Sequence, residues 1–164
     1  MANEFYVTID GVTTGRFHGE TTKEGHKGKI TGLEFFYEVK SPRDAATGLP
    51  TGKRQHKPVA FTKEWGAASP QLFRSLVTNE TLTSVLFEFV KTAPDGKEEI
   101  SDTIKLTGAS VSDFRRYIGN VDNFTYDSTS EDRRLETVSF TFRTIEVTNN
   151  TSKTTAVDDF YSAV

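Results

Sequence analysis

The sequence predicts a mostly β chain. We expect an antiparallel β-barrel or closed sandwich with one short flanking α-helix, at about residues 69–78, and a long extended loop at about residues 41–54. Three observations lead to this fold class. Most apolar stretches alternate with polar residues at a period of two, which is typical of half-buried strands. Clusters of Gly, Pro, Thr and Asp separate these stretches. Only the stretch after Ser69 follows helical spacing.

Composition favours a single domain over residues 1–164, with a C-terminal tail at 149–164 that is rich in Thr and Ser. The chain has 164 residues, of which 35% are hydrophobic, enough for a sizeable core. It has no cysteine, which excludes disulfides and thiol catalysis. The net charge of −3 comes from interspersed acids and bases. This pattern argues against a nucleic-acid partner or an anionic membrane surface.

The first half of the chain contains three predicted strands. Residues 5–9 alternate between apolar and polar, and residues 30–39 do the same with a predicted irregularity at Gly32. Residues 11–28 read as a loop. A third strand follows Pro58, which has no backbone N–H to donate and therefore belongs at a strand start or a sheet edge.

The predicted helix begins at Ser69-Pro70. We expect the serine side chain to cap the exposed amides and the proline to occupy the first turn. The apolar positions of this helix fall on one stripe, predicted to face the core: Leu72, Phe73, Leu76 and Val77.

The next part of the chain predicts a hairpin. Residues 85–90 are apolar on both faces, as in a central strand, and Pro94-Asp95-Gly96 predicts a turn. Residues 99–106 form the next predicted strand. Residues 109–118 are compatible with a strand or a helical turn, and we favour the strand.

The last predicted strand covers residues 135–147. Its apolar positions change parity, which predicts a bulge or bend near Arg143-Thr144. A polar connection at 120–132 precedes it. We expect Phe160-Tyr161, in the tail, to pack on the body of the domain.

No set of residues in the sequence predicts catalysis, a cofactor or a metal site. His18, His26 and His56 match no ligand spacing, so we interpret them as surface residues. Ser69 lacks the Gly-x-Ser-x-Gly context of a nucleophile elbow. We expect a protein that is not an enzyme.

The basic run at 53–57 has two interpretations. It can protect a sheet edge from aggregation, or it can contact an acidic patch on another subunit. The preceding loop is long for a compact domain, and such loops are often functional.

Several segments together resemble the haemolysin-coregulated protein (Hcp) family, which forms the inner tube of the type VI secretion system. The central one is Gly52-x-x-x-His56-x-Pro58-Val59-x-Phe61-x-Lys63 followed by Ser69-Pro70-x-Leu72. Other segments resemble the family in the same order: Gly19-Glu20 with 25–30, 103–111, 135–145 and 154–160. The chain departs from the family pattern at Trp65-Gly66, and residues 120–132 match no family segment.

The resemblance implies a self-assembling tube protein. It implies homohexameric rings that stack inside a contractile sheath and leave the cell with the spike. Effectors are its implied cargo. It also implies a start in the bacterial cytoplasm and later export; the N-terminus has neither a basic n-region nor an apolar run, so we expect no cleavable signal peptide.

A ring requires one patch of each subunit to meet a different patch of the next subunit. We expect the long loop to supply such a contact, because its prolines limit the entropy lost on ordering. The predicted interface residues are Pro42, Arg43, Asp44, Leu49, Pro50, Lys53, Arg54, His56 and Lys57. The candidates for a polar lumen are Thr103, Lys105, Glu136 and Ser139.

Two alternatives remain at this point. One is a tail-tube protein of a phage-like or extracellular contractile injection particle. The other is a monomeric β-barrel that carries a small ligand.

Overall fold

The computed structural model describes residues 4–118 and 133–160. This part of the chain contains twelve strands and one helix. In chain order the elements are β1 (Phe5–Gly11), β2 (Gly15–Arg16), β3 (Ile30–Gly32), β4 (Glu34–Phe36), β5 (Val39–Lys40), β6 (Gln55–His56), β7 (Val59–Glu64), α1 (Ser69–Val77), β8 (Leu82–Thr92), β9 (Glu98–Ile118), β10 (Arg134–Thr141), β11 (Thr144–Asn149) and β12 (Thr154–Asp159). The prediction of a mostly β chain with one short helix is confirmed. The predicted connection at 120–132 lies outside the described residues.

The main sheet is antiparallel, with strand order β2-β1-β8-β9-β10-β7-β4. Its two sides approach each other through the segment 30–36, where β3 pairs with β1 and β4 pairs with β7. A break at Leu33, directly after the irregularity predicted at Gly32, separates β3 from β4. Strand pairing in the described residues therefore leaves the sheet open, and the result is a barrel-like sandwich.

The long strand β9 organises the second half of the fold. The two strands predicted at 99–106 and 109–118 are one continuous strand. β8 pairs with one edge of β9. β10 and β11 pair with the opposite edge, one after the other along its length. The predicted bend near Arg143 is present as the gap between β10 and β11. Beyond it, the tail forms β12 against β11, a strand that the sequence analysis did not predict.

Phenylalanine rings fill the interior between the strands. Phe61 stacks on Phe140 with 5.9 Å between ring centroids, and Phe87 meets Phe61 edge-on at 5.7 Å. Phe5 and Phe35 extend the cluster, 6.0 Å apart. These rings come from β1, β4, β7, β8 and β10, so the core connects both sides of the sheet.

The helix α1 differs from its prediction in two respects. The residue before it, Ala68, takes the cap position without a side-chain hydrogen bond, and Ser69 is the first helical residue. Leu72 is fully buried, but Phe73 and Val77 are each 56% exposed, so only part of the predicted stripe faces the core. No helix in residues 4–118 and 133–160 is long and apolar enough to cross a membrane.

Candidate assembly site

The loop predicted at 41–54, which we call the arm, is a folded hairpin. β5 and β6 pair at its base. Arg43 and Pro50 form a bridge above them, and the Asp44 N–H donates to the Leu49 carbonyl over 2.9 Å. At the tip, the Asp44 carboxylate accepts from the Ala46 N–H at 2.6 Å. An Asx turn of this kind orders a tip that has no apolar core of its own.

The distal arm stands apart from the body. Among residues 4–118 and 133–160, no hydrogen bond or ion pair joins residues 41–53 to residues outside the arm. Leu49, at the tip, is 63% exposed. A folded extension with an exposed apolar tip has the features of a binding element, because its order does not depend on contacts with its own domain.

The base of the arm is fastened to the tail by three residues, Arg54, His56 and Asp158, which we call the latch. Oδ2 of Asp158 accepts from Arg54 Nε at 2.5 Å and lies 2.6 Å from His56 Nε2. Arg54 Nη2 also donates to the Asp159 carbonyl at 2.8 Å. The hydrogen bond from Arg54, and then the one from His56, lowers the pKa of Asp158 below its usual range.

Both ring nitrogens of His56 have partners. Nδ1 lies 2.7 Å from the Tyr37 hydroxyl, and the ring meets Phe142 edge-on at 5.4 Å. Burial, and then the charge of Asp158, raises the pKa of Tyr37. The phenol therefore stays protonated at neutral pH and donates to Nδ1 when His56 carries its proton on Nε2. This arrangement holds the His56 imidazole in place between Tyr37 and Asp158.

The predicted interface residues fall into two groups. Arg54 and His56 are committed to the latch, and Lys57 Nζ pairs with Glu38 at 3.0 Å. The others lie on the arm and stay a predicted interface: Pro42, Arg43, Asp44, Leu49, Pro50 and Lys53, the last of which lines a pocket with His56 and Phe160. Phe160 meets the His56 ring at 6.2 Å, so the tail does contact the body there. Tyr161 lies outside the described residues.

A second cluster lies beneath the start of α1 and was missed by the sequence analysis. Lys63 Nζ is 2.5 Å from Glu136 Oε1, and the Lys63 and Glu136 side chains are 3% and 0% exposed. Ser69 Oγ donates to the same carboxylate oxygen at 2.6 Å and accepts from the Gly66 N–H at 2.9 Å. The cluster joins β7, β10 and the first residue of the helix.

Parity was the signal that could have revealed this pair. Lys63 has the parity of Val59 and Phe61, and Glu136 has that of Val138 and Phe140, all core residues. A charge on each of two apolar faces predicts a buried ion pair when the strands are neighbours. Glu136 is fully buried, so its assignment as a lumen candidate is wrong.

The outer rim of this cluster is aromatic and basic. The guanidinium of Arg116 lies 3.9 Å above the Trp65 ring, a cation–π contact, and that of Arg134 lies 5.7 Å from it. Arg116 Nε is 3.2 Å from Glu136 Oε2. The angles do not make this contact a hydrogen bond, so we interpret it as an ion pair by proximity.

Two of the three histidines are not the surface residues that the sequence analysis expected. The His56 side chain is 5% exposed, in the latch. His26 is 8% exposed and stacks on Tyr6 at 4.0 Å, with Nε2 2.9 Å from Glu98. His18 is exposed. In the described part of the chain, no three His, Asp or Glu side chains are grouped so as to hold a metal ion.

Comparisons with known proteins place these features in a family. Residues 6–148 match the family model described as "Type VI secretion system effector, Hcp". The "Major exported protein" of Pseudomonas aeruginosa is 36% identical, over 100% of this chain and 99% of the relative. A crystal structure of an Hcp protein superposes with a TM-score of 0.85 at 27% identity, over 99% of this chain and 100% of the other. The secreted protein Hcp3 from Pseudomonas aeruginosa superposes with a TM-score of 0.77 at 30% identity, over 98% of this chain and 100% of the other. The chain therefore belongs to the Hcp family of type VI secretion system proteins.

Proposed function

We propose that this chain is the structural subunit of a type VI secretion tube. It assembles into hexameric rings, and the rings stack into a hollow tube. The tube lies inside a sheath and is expelled with a spike. Export of the chain then follows from firing of the tube, which the name of the exported Pseudomonas aeruginosa relative supports. Effectors travel in the lumen, and none of these steps uses a catalytic residue.

The observation that carries this proposal is the detached, folded arm. A ring whose subunits meet head to tail needs a patch that reaches a different patch on the next copy. The arm is already ordered by its own bridge and Asx turn, so docking costs little further entropy. Its tip offers Leu49 and Pro50, both exposed, beside the polar groups of Arg43 and Asp44.

Of the two alternatives, the ligand carrier has less support. The interior between the strands is filled by Phe61, Phe87 and Phe140 in direct ring contact. A carrier instead needs a cavity lined by such residues. A tail tube of a phage-like particle is built from rings of the same kind. It therefore remains the alternative among self-assembling tube proteins.

The test is the mass of the purified protein by light scattering after gel filtration, with negative-stain images of the peak. We expect rings with a central hole, and tubes at high concentration. A variant that lacks residues 43–51 is expected to keep the far-UV circular dichroism of the wild type but to lose rings or stacking. Unaltered assemblies in that variant would remove the arm from the interface. A wild type that stays monomeric at high concentration would overturn the tube proposal.

A further inference from the structure

The outward face of α1 is an uncovered apolar stripe. Pro70, Phe73, Arg74 and Val77 follow the i, i+3, i+4, i+7 spacing of one helical face. All four are exposed, although the opposite side of the helix buries Leu72. An aromatic ring and a valine, each more than half exposed and side by side, mark an interaction surface.

Next to this stripe lies a groove of about 560 Å³, lined by Ser69, Pro70, Phe73, Phe114 and Arg116. The rings of Phe73 and Phe114 form its apolar wall and meet edge-on at 6.4 Å. Because Phe114 and Arg116 are two residues apart on β9, both side chains point to the same face of the strand. The groove therefore has an aromatic wall with a cation beside it.

The charge around the groove is positive. Arg74 lies on the exposed stripe, Arg116 lines the groove, and Arg134 lies on the same sheet face because it pairs with Ile118. The carboxylate on that face, Glu136, is shared between Lys63 at 2.5 Å and Arg116 at 3.2 Å, so two cations face one anion there. A complementary partner must bring an aromatic or aliphatic side chain and a carboxylate next to it.

A strip on the same chain has this chemistry. Phe36 is 57% exposed, and Glu34 is exposed two residues before it on β4. Glu34 enters no ion pair within residues 4–118 and 133–160. Phe160 is also exposed, but its surroundings differ from those of Phe36. Its backbone N–H donates to the Arg143 carbonyl, and its ring meets His56.

The spacings of the two surfaces match. Residues two apart on a strand are separated by about 6.6 Å. This holds for Phe36 and Glu34 on β4 and for Phe114 and Arg116 on β9. With Phe36 against the Phe73–Phe114 wall, the Glu34 carboxylate comes within reach of Arg116 and Arg74. A carboxylate–guanidinium contact here would be charge-assisted and would fix the register.

We propose that the Glu34–Phe36 strip of one copy docks in the α1–β9 groove of a second copy. This rests on the proposed function, because it assigns one of the head-to-tail contacts that a ring or a stack of rings requires. The two surfaces are different patches, so the contact is heterologous and can repeat from copy to copy. The aromatic ring supplies the buried anchor, and the charges set the orientation.

Cross-linking gives a direct test, since the natural chain has no cysteine. Glu34→Cys and Arg74→Cys are placed together in one chain and treated with a short bismaleimide under assembly conditions. We expect a ladder of covalent oligomers from the double variant and no ladder from either single variant. Assemblies that light scattering detects but that yield no ladder would overturn the docking and leave the tube proposal standing. A monomeric wild type would overturn both.

Exchanging the two charges tests the proposed contact between Glu34 and Arg74. It also tests the docking if the cysteine variants do not assemble. Glu34→Arg and Arg74→Glu are each expected to weaken assembly roughly tenfold. The double variant is expected to recover most of that loss. Glu24→Arg is the matched control, because Glu24 is an exposed glutamate with the same change of charge. Single variants that behave like this control, or a double variant without recovery, would count against the contact.

Discussion

His56 and Asp158 are 102 positions apart in the chain, yet His56 Nε2 lies 2.6 Å from Asp158 Oδ2. This contact, together with Arg54, ties the base of the arm to the strand β12. Within residues 4–118 and 133–160, no hydrogen bond or ion pair joins residues 41–53 to the rest of the domain, so the latch and the β5–β6 pairing together orient the arm. If the arm is an assembly element, Asp158 is a positioning residue for it.

Replacing Asp158 with Asn should loosen the latch without changing its shape. The amide keeps the size of the carboxylate but loses the charge that draws in Arg54 and His56. We expect backbone amides in residues 54–57 and 154–159 to exchange hydrogen several times faster, with the core strands unchanged. Asp113→Asn, on an exposed part of β9, is the control. Equal protection in the two variants would mean that the latch does not order the arm.

The latch should be lost only in acid. The pKa of Asp158 is lowered in the folded protein, so its ionised form favours the folded arrangement. Its contribution is fully present above the unfolded-state pKa, about 3.9. It declines as the pH falls through the lower pKa of the folded state. We therefore expect exchange protection of β12 to hold from pH 7 to 5 and to fall in strong acid. In Asp158→Asn this acid-dependent step should be missing.

Breaking the buried pair between Lys63 and Glu136 should be costly. Lys63→Met leaves Glu136 as a buried charge with one partner fewer, and such changes cost about 3–5 kcal/mol of unfolding free energy. The double variant Lys63→Met with Glu136→Leu removes both charges, so it should recover most of this loss. Urea unfolding followed by the fluorescence of Trp65 measures both. A single variant as stable as the wild type would show that the pair contributes little.

Gly32 should tolerate no side chain. A Cβ at this position would lie 2.0 Å from the Phe5 ring, in the core next to the break between β3 and β4. Since the packed ring must then shift, we expect Gly32→Ala to lower the unfolding free energy by about 1–3 kcal/mol. Gly52→Ala is the matched control, because no atom lies within 4 Å of its added Cβ. Equal unfolding midpoints would contradict the packing described for Phe5.

Local pattern predicted most of the long elements but not how the strands pair. The period of two predicted strands in their places, and Ser69-Pro70 predicted the only helix in the described chain. The same pattern divided β9 into two strands, because alternation does not show whether a strand bends at Gly108 or ends there. It also left β12 unassigned, because the Thr-rich tail has no apolar face and becomes a strand only by pairing with β11.

Features local to the chain were enough to predict the mostly β fold, the place of the helix, the limits of the arm and, through its motifs, the family. These depend on neighbours in the chain: backbone periodicity, turn residues and the spacing of side chains. The tertiary structure alone decided that Lys63 meets Glu136, that Asp158 holds Arg54 and His56, and that Phe73 remains exposed. Each depends on which strands become neighbours in space, and strand pairing is set by the packing of the whole core.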